Sequence, residues 1–84
     1  MPKSVFTKRY EVFRKKLVEA RLSAGMTQRE LSDHLGFPQS YVSKYENGER
    51  RLDVVEFLQI AEVLNINIMK FIVRIQGVVN EKDD

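Results

Sequence analysis

The sequence predicts an all-α domain of four or five short helices, and three observations carry that reading. Apolar side chains recur at Tyr10, Phe13, Leu17, Ala20 and Ala24, with alternating gaps of three and four that draw one stripe along a helix. Two capping boxes, Thr27 with Glu30 and Asp53 with Glu56, each mark a helix start. Each is flanked by an apolar pair spaced for a hydrophobic staple, Met26 with Leu31 and Leu52 with Phe57. Stop signals fall between them at Gly25, Gly36 and Asn47-Gly48.

In chain order, the first helix covers residues 8–24 and ends at Gly25, where a left-handed cap fits. The second starts at Gln28 and stops at Gly36. Phe37-Pro38 then forces an extended step, because proline disfavours a helical residue before it, and proline suits the mouth of the helix that follows. That third helix runs over residues 39–46, with Val42 and Tyr45 facing inward. The fourth turns Val54, Phe57, Leu58, Ala61 and Leu64 inward. Asn67 is placed to cap a fifth over residues 68–75, although the β-branched character of Phe71-Ile72-Val73 also suits a strand.

Composition narrows the functional classes. With 84 residues, 43% hydrophobic and 31% charged, the chain is one small globular domain of ordinary soluble type. The absence of cysteine excludes a disulfide scaffold, a thiolate metal site and a cysteine nucleophile. No apolar run is long enough to cross a bilayer, and the N-terminus lacks the apolar core of a signal peptide. A cytoplasmic location without membrane contact is therefore expected. The net charge of +2 divides into +5 over residues 1–51 and −3 over residues 52–84. That split suits either a basic surface for a polyanion or solvated surface alone. His34 stands alone and makes no metal site. No nucleophile–base pair, phosphate loop or cleft of paired carboxylates is present, so no enzyme, cofactor or metal is expected.

Two short helices joined by a glycine turn have the geometry of a helix-turn-helix, here about residues 28–47. Leu31 and Leu35 give its first helix an inward face, and Ser32 is small enough for the second to cross close above it. Gln39, Ser40, Ser43 and Lys44 then share the outer side of the second helix, at spacings i, i+1, i+4 and i+5. Each can donate a hydrogen bond; glutamine suits the adenine edge and lysine the guanine edge. A plain polar solvent face would have the same spacing.

Residues 17–64 resemble the Cro/phage-repressor family, the lambda-repressor-like helix-turn-helix DNA-binding domain. The resemblance is densest from Gly25 to Leu31 and from Ser40 to Gly48. It implies a compact five-helix bundle over residues 10–76 whose helix 39–46 enters the major groove of double-stranded DNA. By position it makes Gln39, Ser40 and Lys44 base readers, with Ser43 between base and backbone. Gln28, Asn47, Arg50 and Arg51 become phosphate contacts. Tyr41 either offers its hydroxyl to a phosphate or packs inward. Arg21 and Glu46 become an internal ion pair rather than DNA contacts. Pro38, standing where a hydroxyl residue commonly caps the recognition helix, departs from the pattern, and Glu49 lies where phosphates would pass.

The flanks remain. Residues 1–9 form a basic arm, and Lys3, Lys8, Arg9, Arg14, Lys15 and Lys16 either lie along DNA or face solvent. The segment holding Met69, Phe71, Ile72, Val73 and Ile75 has more apolar surface than one small core needs. It serves either a homodimer reading an inverted repeat or a broad core face. Residues 77–84 make an acidic tail. The expected function is a sequence-specific transcriptional regulator, a repressor of phage type. The alternative is an antitoxin-like module that uses the same fold mainly to bind a partner protein.

Overall fold

Helix punctuation dominates the architecture. In the computed structural model, which describes residues 7–78, the chain forms α1 (Lys8–Ser23), α2 (Gln28–Leu35), α3 (Ser40–Glu46), α4 (Val54–Leu64) and α5 (Ile68–Gln76). No strand occurs among the described residues. Thr7 caps α1 by accepting from the Tyr10 amide at 3.1 Å, so Lys8 and Arg9 of the expected arm are already helical. Residues 1–6 of that arm, Val79 and the acidic residues 80–84 lie outside the described residues.

Both capping boxes form. Thr27 Oγ accepts from the Glu30 amide at 3.0 Å while Glu30 Oε1 accepts from the Thr27 amide at 2.8 Å. Asp53 and Glu56 do the same at 2.8 and 2.9 Å. The first four helices end by one geometry. At the end of α2, Phe37 N–H donates to Ser32 O and Gly36 N–H to Asp33 O, with Gly36 at φ 77°. This paired closure of the last carbonyls needs a left-handed residue, which glycine supplies without steric cost. At the end of α4 the left-handed position is taken by Asn65 at φ 58°, a role its sequence context does not advertise.

Leu17, Leu31, Val42 and Ile60 are fully buried and form the centre, with Tyr45 beside them. Phe13, Phe57 and Phe71 complete it as a three-ring cluster with centroids 5.3 to 5.9 Å apart. α5 is helical despite its β-branched residues. Asn67 accepts from the Lys70 amide at 3.0 Å, and Phe71 faces inward while Ile68 and Ile75 pack against the core. Two expectations shift here. The inner face of α4 is Phe57, Ile60, Ala61 and Leu64, whereas Val54 and Leu58 are exposed. Apolar residues run most of the way around this helix, so spacing alone leaves its rotation open. Phe71, expected at a dimer interface, belongs to the core, because its ring completes the aromatic cluster.

Candidate nucleic-acid interface

α3 presents the outer face that its spacing predicts. Gln39, Ser40 and Lys44 are exposed and Ser43 is half-buried. Ser43 Oγ donates to Ser40 O at 3.1 Å, which turns its proton toward its own helix and leaves its lone pairs outward. Between the N-termini of α2 and α3 runs an open groove lined by Thr27, Gln28, Arg29, Gln39, Ser40 and Ser43. Two helix N-termini converge on this groove, and their dipoles favour an anionic backbone there.

Pro38 shifts the start of α3 by one residue. The helix begins at Ser40, and Gln39 stands at its N-cap with no side-chain cap bond. The cap is supplied by the preceding helix instead. Ser32 Oγ accepts from the Val42 amide at 3.3 Å and donates to Gln39 O at 3.2 Å, fully buried between α2 and α3. The Ser32 hydroxyl at the crossing point therefore does the capping work that Pro38 gives up. Spacing marks Ser32 only as small, because its partners lie across a turn.

The expected ion pair is present and buried. Arg21 grips Glu46 with two bonds, Nε to Oε2 at 2.7 Å and Nη2 to Oε1 at 3.0 Å, and its Nη1 donates to Met26 O at 2.9 Å. Both residues are less than a tenth exposed. Gln28 joins them, donating from Nε2 to Glu46 Oε1 at 2.8 Å. An amide nitrogen carries two protons, so the groove-lining Gln28 is oriented by the pair and keeps a second donor.

Of the two roles expected for Tyr41, the structure shows inward packing and not the phosphate contact. Its side chain is 7% exposed and its hydroxyl is buried, so it does not reach a phosphate in this arrangement. Its ring lies 4.3 Å from that of Phe37, and the Arg50 guanidinium covers it at 4.9 Å. Burial is the main reason its phenol is raised above the ordinary tyrosine range, and the same holds for Tyr45.

The loop after α3 holds its cations in place. Asn47, Arg50 and Arg51 are exposed on it. Arg50 pairs with Glu56 at 2.7 Å, and the hydrogen bond from Arg50 is the leading reason the Glu56 carboxyl sits below its usual range. Arg51 lies over the Tyr10 ring at 4.2 Å, and Tyr10 Oη accepts from the Leu52 amide at 3.3 Å. Glu49 is exposed, while its amide closes the end of α3 on Lys44 O. These arginines are thus preset by α1 and α4, partners too distant in sequence for local pattern to show.

On α5, Met69, Ile72 and Val73 are exposed at 75%, 44% and 61%, and Ile75 is half-buried against the core. Among the described residues no helix is long and apolar enough to cross a membrane, and no group of side chains is arranged to hold a metal.

A family model described as Helix-turn-helix matches residues 17–71. Among solved structures, the chain is similar to an XRE-family like protein from Pseudomonas syringae pv. tomato str. DC3000. The two share 43% identity with a TM-score of 0.79, over 83% of this chain and 85% of that one. No curated protein matches it.

Proposed function

This chain belongs to the XRE-type helix-turn-helix family and is a DNA-binding regulator, and from that premise we propose that it is a sequence-specific transcriptional repressor that reads an operator through α3. Gln39, Ser40 and Lys44 select bases, Ser43 accepts from a base amino group or, released from Ser40 O, donates to a phosphate, and Gln28, Asn47, Arg50 and Arg51 hold phosphates and set the register. The observation that supports this reading best is the contrast between the two sides of α3. A buried bidentate ion pair and a buried core fix its inner side, while on the outer side Gln39, Ser40 and Lys44 are polar and exposed, Ser43 is half-buried, and the only structural side-chain bond among the described residues is that of Ser43.

The protein acts in the cytoplasm as a homodimer through Met69, Ile72 and Val73. Two copies present recognition helices about one DNA turn apart, so the operator is an inverted repeat. Selection from a random duplex pool at about 0.15 M salt tests this. Recovery of an inverted repeat is expected; retention that depends on salt and not on sequence would sink it. The same apolar face supports a second reading, a module that grips a partner chain in the manner of an antitoxin. Light scattering on the pure protein separates the two. A dimer that Val73→Glu converts to a folded monomer favours the first, and a wild-type monomer favours the second.

A further inference from the structure

The geometry points to Arg14, on α1, as a positioning residue that locks the far end of the recognition helix. Sequence reasoning groups Arg14 with the basic residues of the N-terminal segment. The structure instead turns it inward, half-buried, where Nη1 donates to the main-chain carbonyl of Glu46 at 2.6 Å. Glu46 is the last residue of α3.

An α-helix leaves its last four carbonyls without helical partners. Of the last four carbonyls of α3, Ser43 O keeps a helical bond from the Asn47 amide at 2.9 Å, and the turn that follows closes two more, Lys44 O with the Glu49 amide at 2.9 Å and Tyr45 O with the Gly48 amide at 3.2 Å. The fourth, Glu46 O, is the one that Arg14 takes. A cation at a helix C-terminus also meets the negative end of its dipole. The same residue is held twice from one helix, by Arg14 at its carbonyl and by Arg21, two turns further along α1, at its carboxylate. Two fixed points on Glu46 constrain both the roll of α3 and its displacement along its own axis. One point alone would let it pivot. Because α3 is only seven residues long, a pivot at Glu46 would be carried through to Lys44 and Ser40. Arg14 therefore governs base selection without touching DNA, an inference that rests on α3 being the reading helix.

The test compares Arg14→Gln and Arg14→Lys with the wild type in two measurements. In operator binding, Arg14→Gln is expected to lose about tenfold in affinity for the selected site, the size of one charged hydrogen bond. Affinity for random duplex and the salt slope should stay unchanged, and Arg14→Lys should recover part of the loss. If Arg14 were a phosphate contact, specific and random affinity would fall together and the slope would drop by about 0.9. That result overturns the inference, as does unchanged operator affinity. In amide exchange without DNA, the Asn47, Gly48 and Glu49 amides should lose about tenfold in protection relative to those of α4. An equal loss in both helices, or none, also overturns it. If wild-type protein selects no sequence, the operator reading fails, and exchange alone then decides whether Arg14 locks α3.

Discussion

Arg21→Met is the substitution that separates a structural arginine from a DNA-contacting one. Arg21 spends three donors inside the protein, two on the Glu46 carboxylate and one on Met26 O. Its loss leaves a carboxylate 7% exposed with a single remaining bond, from Gln28. Breaking one side of a buried pair costs about 3–5 kcal/mol, because the other charge stays desolvated. A domain of this size has about 5–15 kcal/mol of total stability, so the variant should melt at least roughly 12 °C lower and be partly unfolded at physiological temperature. Urea unfolding followed by circular dichroism measures the loss. The double variant Arg21→Met/Glu46→Leu should recover most of it, since apolar side chains of similar volume replace a buried pair at little cost. The reasoning fails if Arg21→Met costs less than about 1 kcal/mol, or if the double variant is as unstable as the single one. A lower salt slope of DNA binding at intact stability would instead make Arg21 a phosphate contact.

Three further outcomes follow from the same geometry. Ser32→Ala removes the cap that α2 lends to α3 and leaves the Val42 amide buried without a partner, at about 1–2 kcal/mol in urea unfolding; unchanged stability would mean the hydroxyl is only a spacer. Glu56→Gln removes a carboxyl held below its usual range by Arg50. The wild-type contribution is present above the unfolded-state value and lost as pH falls through the folded one, so the variant should flatten the acid side of the stability–pH curve. With an exposed arginine as partner the amplitude is at most about 1 kcal/mol and shrinks with added salt; an unaltered curve would remove the pair from the account. Lys44→Ala should relax selection at one base pair by about 1–3 kcal/mol, read by competition among single-base operator variants. A uniform loss over all sequences would reassign Lys44 to the backbone.

What the sequence made legible depended on how far apart the interacting residues lie. Helix starts and stops are local chemistry, so Thr27, Asp53, Gly36 and Gly48 announce themselves within three or four positions and all act as expected. The outer side of α3 is legible for the same reason: it follows from period alone. The rotation of α4 is not, because its apolar residues surround the helix and only packing against the other helices, such as Phe57 on the Phe13 and Phe71 rings, turns Phe57 and Ile60 inward. Phe71 carries the same ambiguity, since a surplus of apolar residues shows that one stripe is uncovered and not which one. The cross-helix bonds divide along similar lines. Arg21–Glu46 was readable only through a family resemblance that fixes a partner 25 positions away, whereas Ser32 to Val42, Arg14 to Glu46 and Tyr10 to Leu52 had no such guide.

These less legible bonds are the ones that orient α3, the helix proposed to read DNA. α3 is too short to be stable by its own propensity, its N-terminal cap comes from α2 and its C-terminal carbonyl is held by α1. The loop after α3 is preset by Tyr10 from α1 and by Glu56 from α4. The orientation of the outer face of α3 is therefore a property of the bundle rather than of the residues that face outward. It follows that moving Gln39, Ser40, Ser43 and Lys44 onto the α3 of another scaffold transfers base preference only if the serine at the α2 crossing and both α1 arginines go with them. A graft of the four outer residues alone that reproduced the full preference would show that orientation is set within α3 itself.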